Sequence, residues 1–367
     1  MSRKEEDRLT KSPIKFSNKK KYNYLPTTYY IEYKNESSPV YLNNSETVNK
    51  LRCEPLILYH NQNKNIMNIL EFVEIFPTES SCRKDFKEKR EKEGIICKKC
   101  KITEHYWLKN KEQWECKACK FRTTLKSGSM MEGSKLPVRT WYLAMLFMTF
   151  TKKGISAKEL QRQLRHKRYN TVWSLMHRIR LAMGNRDALY TLEGMIEFDE
   201  AYFEIATPDG IKLKRGKGSQ KQQNVAVIAE STPLEDLTTG KKSSSCRFYK
   251  MKALTSHKTA SINEVIAENI EETSIVFTDK ANTYLDIENY VEMHVAEVSS
   301  SDLTRTTLKW VHIAIGNAKR NFLGVYHKIK GKYLQLYLDE FCYKLNRRYF
   351  GERLFDRLTL AVAKSYW

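Results

Sequence analysis

Beyond residue 194 the apolar and polar residues alternate in several segments with the period of a β-strand. In "MIEFDEAYF", Ile196 and Phe198 face one side while Glu197 and Asp199 face the other, since successive strand side chains point to opposite faces. "SIVFTD" is an apolar run of strand length that ends at Asp279. Strands are predicted at 194–205, 224–231, 245–253, 274–279 and 292–298. Helical patterns are predicted at 258–271, 281–290, 307–320, 333–347 and 351–364.

Three strands in series, expected to be antiparallel, followed by alternating helices and strands, are typical of an RNase H-like core. This order predicts a mixed α/β domain over 192–348, with a C-terminal helix over 349–367. Together with the segments before it, the chain is expected to be an α+β multidomain protein.

The segments before residue 194 have the period of helices. Short helices are predicted over 67–93, and a strongly apolar helix over 137–152. Within the region 136–186, "GISAKELQRQL" and "TVWSLMHRIRLAMG" flank a tight turn, which predicts a helix-turn-helix. The second helix has a predicted buried stripe made of Val172, Leu175, Ile179 and Met183. Its predicted outer face is made of His177, Arg178 and Arg180. Of these, Arg178 and Arg180 are candidate DNA contacts.

Residues 1–66 are rich in Asn, Lys, Tyr and Ser and show little periodicity. This composition predicts a disordered or weakly ordered basic tail. A second hypothesis is that translation naturally begins at Met67, where "MNILEFVEIFP" opens an amphipathic pattern.

The composition points to a polyanionic partner. The 367 residues include 64 Lys+Arg against 43 Asp+Glu, which gives a net charge of +21. Such an excess favours nucleic acid as the partner. No run of 18 apolar residues occurs and the first residues lack an apolar signal core, so we expect a cytoplasmic, nucleoid-associated protein in a bacterium or a nuclear one in a eukaryote.

Four of the eight cysteines form two C-x2-C pairs separated by 15 residues, namely Cys97, Cys100, Cys116 and Cys119. This spacing predicts a structural Zn²⁺ site within 94–125, because four thiolates leave no open coordination position. A phosphate-facing role for this ribbon is favoured by Lys98, Lys99, Lys117 and Lys120.

Two strand-borne acids and a helical histidine predict metal-dependent phosphodiester chemistry. Asp199 and Asp279 lie on predicted strands, and His312 follows 33 residues after Asp279. Lys319 is seven residues beyond His312, so the two lie within about 20° of the same helix face. Such a layout holds two Mg²⁺ ions over a phosphodiester. Other candidates for the third ligand position are Asn317, Glu200 and Glu297.

A Gly-rich basic loop over 212–222 is expected between the first two strands of the core, and its glycines allow close approach to a sugar-phosphate chain. Its candidate DNA-binding residues are Lys214, Arg215 and Lys217, and Arg320 is a further one on the helix.

From Met67 to its end the chain resembles bacterial insertion-sequence transposases of the ISXO2-like kind. The matching segments include "CKKC…CKAC", "EFDEAYFE", "KRGKGSQKQ", "VFTDKANTY", "WVHIAIGNAKRNFLGVYHKI" and "YLQLYLDEFCYKLNRR". The resemblance implies a zinc ribbon, an RNase H-like core and a DDE-type transposase that cuts element ends and joins 3′-hydroxyls to target DNA. By position it implies Asp199 and Asp279 as the two acids, with His312 and Lys319 where the family often has Glu and Lys.

The sequence therefore predicts a DNA transposase with two catalytic Mg²⁺ or Mn²⁺ ions held by Asp199 and Asp279, and with structural Zn²⁺. Its partners would be the element ends and target DNA as double strands, and it would work as a homodimer or a higher oligomer. A catalytically inactive DNA-binding protein derived from a transposase stays open as an alternative because His312 departs from the Glu form. A structure-specific nuclease with the same core is a further alternative.

Overall fold

The computed structural model describes residues 67–207, 210, 219–235, 242–256, 258–284, 286–298, 300, 307–350 and 353–364. The chain divides into two units, of which the second comprises Val48–Thr232 and Ser244–Trp367. All packing and site features below belong to the second unit. The predicted tail over 1–66, and most of the predicted basic loop, lie outside the described residues.

The first part of the second unit combines helices with a small antiparallel sheet. Its helices are α1 (Ile69–Ile75), α2 (Glu79–Glu93), α3 (Val138–Phe150), α4 (Ala157–Gln163) and α5 (Tyr169–Ala188). Its strands, paired in the order β1-β2-β3, are β1 (His105–Leu108), β2 (Gln113–Cys116) and β3 (Arg122–Thr124). Asn68, Thr78 and Ser156 cap α1, α2 and α4 through their side chains, which satisfies backbone N–H groups that have no partner inside the helix.

A mixed sheet and its helices form the second part. The strands are β4 (Met195–Glu204), β5 (Gln222–Glu235), β6 (Lys242–Ala253), β7 (Ile275–Asp279) and β8 (Met293–Glu297). The helices are α6 (Thr259–Asn269), α7 (Lys309–Val325), α8 (Leu334–Asn346) and α9 (Arg353–Lys364). The sheet order is β6-β5-β4-β7-β8, with β4 antiparallel to β5 and parallel to β7, and β7 parallel to β8.

The alternation along β4 gives the sheet two buried faces. Phe203 lies on the face that packs against α7 and α8, in one cluster with Val311 and Phe322. Phe198 lies on the opposite face, in a cluster with Ile262 of α6. The sheet is therefore the middle layer between helices. The last helix, α9, returns to the first part, where Phe355 joins its apolar core.

The predicted mixed α/β class is confirmed, and the predicted strands and most predicted helices match elements of the structure. The segment 281–290, which was expected to be helical, instead holds two short 3-10 turns, Asn282–Tyr284 and Ile287–Asn289. The strands β5 and β6 extend beyond the predicted 224–231 and 245–253. No helix among the described residues is both long and apolar enough to span a bilayer.

The predicted outer face of α5 is wrong for two of its three residues. The predicted stripe is buried, but so are His177 and Arg180, which are 8% and 1% exposed. The physical reason is that α5 packs on both sides, against the first-part core and against α8. Arg180 faces α8 and donates from Nε to Glu340 Oε2 at 2.7 Å. A guanidinium held in this way is not available as a DNA contact.

Candidate active site

Two aspartates meet on adjacent parallel strands. β4 and β7 pair with Met195 opposite Ile275 and Glu197 opposite Phe277. The same register, continued by two residues, sets Asp199 beside Asp279 at the end of β7. Paired positions in a parallel ladder share a face of the sheet, so both carboxylates lie on the side covered by α7.

The helix α7 brings His312 to this pair of acids. His312 Nε2 lies 3.6 Å from Asp199 Oδ2, and the charge of Asp279 acts on the imidazole. Lys319, two turns further along, is near enough for its charge to act on Asp199, and its Nζ is 5.7 Å from the centre of the Phe203 ring. These four residues, predicted from strand and helix periodicity, therefore converge on one place.

Burial disfavours the charged form of Asp199. It raises the pKa of Asp199 to about 7, and the neighbouring Asp279 charge adds to this rise. Asp279 Oδ1 is buried with no hydrogen-bond partner among the described residues. Burial also lowers the pKa of His312, partly offset by Asp279. This lower pKa favours the neutral imidazole over the charged form in the contact with Asp199.

The orientation of Asp199 is fixed by its neighbour in sequence. The backbone N–H of Glu200 donates to Asp199 Oδ1 at 2.7 Å, which leaves Oδ2 on the side of His312. The Glu200 carboxylate lies on the opposite face, where it accepts hydrogen bonds from the Asn224 side chain and the buried Tyr284 hydroxyl. The sequence prediction missed Asn224 and Tyr284, because both join the site only through strand pairing and loop packing.

Glu197 is a further residue whose role the sequence did not indicate. It lies two residues before Asp199 on the same face and is 3% exposed. Its Oε2 accepts the backbone N–H groups of Trp310 at 2.7 Å and Val311 at 3.1 Å, in the first turn of α7. Burial raises the pKa of Glu197 to about 7, and these two hydrogen bonds act in the opposite direction.

The other candidates for a third ligand have different positions. Asn317 Oδ1 accepts a hydrogen bond from Arg320, and its side chain lies about 140° around the helix from His312. Glu297 pairs with Asp279 in the β7–β8 register and accepts a hydrogen bond from Thr307 at 3.3 Å. Glu297 is therefore beside Asp279, on its far side from Asp199.

The candidate DNA contacts differ in position and exposure. Lys214, Arg215 and Lys217 lie outside the described residues. Arg178 is half-buried and donates to the carbonyl oxygen of Glu132. Arg320 is exposed on α7.

The four paired cysteines form one cluster. Their sulfur atoms all lie within 4.8 Å of one another, and both the Cys97–Cys119 and Cys100–Cys116 pairs are 3.5 Å apart. A tetrahedral site with Zn–S bonds of about 2.3 Å has sulfur–sulfur edges of about 3.8 Å. The hydrogen bond from the Cys100 backbone N–H lowers the pKa of Cys97 to about 6. The cluster therefore has the donors and the spacing of a structural metal centre.

The two halves of this cluster are equivalent turns. In each, the backbone N–H of the residue four positions on, Lys101 or Lys120, donates to the carbonyl oxygen of the first cysteine, Cys97 or Cys116. Lys101 and Lys120 both have positive φ, 64° and 59°. The repeated geometry presents the sulfur atoms of each pair to a common centre.

Residues 191–346 match the family model of the ISXO2-like transposase domain. The resemblance to these transposases is thereby confirmed over the mixed sheet, α6, α7 and α8, whereas the cysteine cluster and α1–α5 lie outside the match. No curated protein matches the chain. Among solved structures, the Mos1 strand transfer complex is 13% identical, with a TM-score of 0.23 and coverage of 59% of this chain and 76% of that chain. The Mos1 mariner paired end complex with Mn is 14% identical, with a TM-score of 0.23 and coverage of 59% and 77%. Similarity this low carries no information about the site of this chain.

Proposed function

We propose that the chain, whose residues 191–346 match the family model of the ISXO2-like transposase domain, is a DDE-type DNA transposase with an RNase H-like catalytic core. It cuts phosphodiester bonds at the ends of an insertion sequence and joins the 3′-hydroxyls to target DNA. The observation that carries this proposal is the convergence of Asp199, Asp279 and His312 at the end of β7. The sheet order, with three strands in series followed by parallel β7 and β8, supports the RNase H-like assignment.

The residues present suit divalent metal ions. Asp279 has a buried oxygen with no hydrogen-bond partner among the described residues, and the burial and proximity of the two acids raise the pKa of Asp199. Carboxylate oxygens are ligands for Mg²⁺ and Mn²⁺, and a neutral imidazole suits Mn²⁺ better than Mg²⁺. Asp199 and Asp279 would hold two ions, with His312 as the third protein ligand. Ions bound there supply activation of the attacking oxygen and charge stabilisation of the leaving oxygen.

The remaining residues orient the reactants. The Glu200 backbone N–H donates a hydrogen bond to Asp199 Oδ1, which keeps Asp199 Oδ2 directed toward His312. Lys319 lies on the same helix face as His312 and is exposed, so its ammonium group can hold a DNA phosphate beside the acids. A phosphate held on that side brings the scissile bond to Asp199 and Asp279.

The first part of the chain supplies DNA recognition in this proposal. The cysteine cluster holds Zn²⁺ as a structural ion. α4 and α5 act as a helix-turn-helix, whose recognition helix contacts bases through its N-terminal residues. The turn before α5 and the first residue of that helix are exposed, and the basic or aromatic side chains there are Arg165, Lys167, Arg168 and Tyr169. They replace Arg180 as expected contacts, and Arg320 and the basic loop contribute on the catalytic side.

Both element ends must be held together for joining, so the working form is at least a homodimer on double-stranded DNA. This expectation comes from the reaction. A single chain offers one set of Asp199, Asp279 and His312.

The test is a cleavage and joining assay with the full chain. Labelled duplex DNA that carries the sequences flanking the gene is incubated with a target plasmid and Mg²⁺ or Mn²⁺. We expect nicked ends and joined products from the wild type, and loss of both in Asp199→Asn, Asp279→Asn and His312→Ala. If Glu297→Gln abolishes activity while His312→Ala does not, Glu297 is the third ligand.

Two outcomes would replace the proposal. Metal-dependent nicking without joined products would make the chain a structure-specific nuclease. Tight DNA binding without any cleavage, equal in the wild type and in Asp199→Asn, would make it a DNA-binding protein derived from a transposase.

A further inference from the structure

We infer that Glu197 is a positioning residue, whose buried carboxylate fixes the place of α7 along its own axis and so sets where His312 stands over Asp199. The inference rests on the proposed function, because that function gives His312 its role. Glu197 itself is not assigned to the reacting atoms.

The helix α7 begins without a cap from its own sequence. Its N-cap residue, Leu308, offers no side-chain hydrogen bond, and no acid lies in its first turn. The first N–H groups of a helix have no partner inside it. Glu197, on the sheet and 113 residues before Trp310, provides that partner. It accepts one hydrogen bond from the backbone N–H of Trp310 and one from that of Val311. Its negative charge is also favourable at this positive end of the helix dipole.

Apolar packing alone does not fix the axial position of this helix. One face of α7 packs on the sheet through Val311, Ala314, Ile315, Ala318 and Phe322. That stripe sets the rotation of the helix, but apolar contact is non-directional and restrains translation along the axis less sharply than a hydrogen bond does. Hydrogen bonds of 2.7 and 3.1 Å depend steeply on distance and angle. The buried carboxylate therefore fixes the translation that packing restrains less sharply.

The catalytic geometry depends on that translation. His312 directly follows Val311, and its Nε2 lies 3.6 Å from Asp199 Oδ2. Asp199 and Glu197 share one strand and one face, so a single strand positions the acid and, through the helix terminus, the histidine. A displacement of about 1 Å in such a site can lower the rate about 100-fold.

The contact pattern defines which substitutions distinguish positioning from a direct role. Both N–H groups go to the same oxygen, Oε2, and the Ser231 hydroxyl lies against the carboxyl group. In Glu197→Gln the amide oxygen can accept both bonds and the amide nitrogen can donate to Ser231, so the reach is kept and the charge is lost. In Glu197→Asp the charge is kept, but the side chain is one methylene too short.

A matched control exists in the first part of the chain. Glu79 accepts the backbone N–H groups of Val138 at 2.8 Å and Arg139 at 2.7 Å, at the start of α3. The N-cap of that helix, Pro137, also offers no side-chain hydrogen bond. Glu79→Ala therefore removes the same kind of cap from a helix that carries none of the proposed catalytic residues.

The experiment measures amide hydrogen exchange and cleavage in the zinc-loaded full chain. Without DNA or added metal, exchange at Trp310 and Val311 should accelerate about tenfold in Glu197→Ala and Glu197→Asp, and stay near the wild-type rate in Glu197→Gln. At saturating DNA, cleavage should fall about 100-fold in the Ala and Asp variants. Glu197→Gln should cleave within about threefold of the wild type, DNA affinity should be unchanged in all three, and Glu79→Ala should accelerate exchange in α3 only.

Two results would overturn the inference. The first is unchanged exchange at Trp310 and Val311 in Glu197→Ala. The second is an inactive Glu197→Gln beside an active Glu197→Asp, which would mean that the carboxylate charge acts on the reacting atoms. The exchange measurement needs no activity, so an inactive wild type would contradict the proposed function while exchange still decides the role of Glu197.

Discussion

Replacing Arg180 by Met should destabilise the protein strongly without weakening the DNA affinity of its folded form. Arg180 and Glu340 are joined at 2.7 Å, and their side chains are 1% and 4% exposed. The guanidinium also lies 4.0 Å from the centre of the Tyr337 ring. Burial alone would lower the pKa of Arg180, and the nearby Glu340, Tyr326 and Tyr337 more than offset that and raise it. The substitution leaves the Glu340 carboxylate buried without its cation.

The magnitude follows from that burial. Removing one partner of a buried ion pair costs about 3–5 kcal/mol, because the other charge stays uncompensated. Arg162 provides the matched control: it pairs with Glu159 at 2.7 Å, but its side chain is 75% exposed, so Arg162→Met should leave the stability close to that of the wild type. The double variant Arg180→Met/Glu340→Leu should recover most of the loss, since apolar residues of similar volume often replace a buried pair without cost.

The assay is urea unfolding of the zinc-loaded full chain, followed by fluorescence, with a thermal melt as a second measure. A loss of about 3–5 kcal/mol corresponds to a melting temperature lower by about 10 °C. DNA binding is measured at a temperature where every variant is folded. Equal stability of Arg180→Met and Arg162→Met would mean that the buried ion pair contributes no more to stability than the exposed one. A stable Arg180→Met that binds DNA more weakly would instead restore Arg180 as a DNA contact.

Three further predictions concern pH, backbone conformation and metal. Burial lowers the pKa of His177 to about 4, so the unfolded chain takes up a proton near pH 6.5 that the folded protein excludes. The free energy of unfolding should be highest above pH 6.5 and fall by about 3 kcal/mol toward pH 4. Urea titrations of His177→Gln should lack this pH-dependent loss of stability. Gly154 has φ +91°, and a Cβ there would lie 2.8 Å from the Tyr326 hydroxyl, whereas Gly133 has φ +71° and a Cβ there would meet no atom within 4 Å. Gly154→Ala should therefore cost about 2 kcal/mol more stability than Gly133→Ala. Equal melting temperatures of the two variants would contradict this. Metal analysis should find about one Zn²⁺ per chain, and Cys97→Ser should release it and expose the ribbon to protease, whereas retained zinc would contradict a four-cysteine site.

Local periodicity predicted the catalytic residues because each lies on a regular element. The alternation in β4 and the apolar run of β7 placed Asp199 and Asp279 at strand positions, and a seven-residue spacing placed His312 and Lys319 on one helix face. The parallel register then brought the two acids together. These features depend on short segments, so a single sequence carries them.

Residues whose roles depend on distant partners were not predictable in this way. Arg180 was expected on an outer face because a single apolar stripe explained one side of α5, but its partner Glu340 lies 160 residues later. Glu197 was correctly placed on the face of Asp199, yet the backbone groups that it binds lie 113 residues away at Trp310. A polar residue on a regular element is exposed or buried according to tertiary packing, which periodicity does not encode.

Calorimetric titration of Mn²⁺ into the zinc-loaded full chain tests most directly whether Asp199, Asp279 and His312 form one metal site. We expect binding by the wild type, its loss in Asp279→Asn and its weakening in His312→Ala. Asn317→Ala should bind as the wild type does, because Asn317 faces Arg320. Unchanged Mn²⁺ binding by Asp279→Asn would contradict the account.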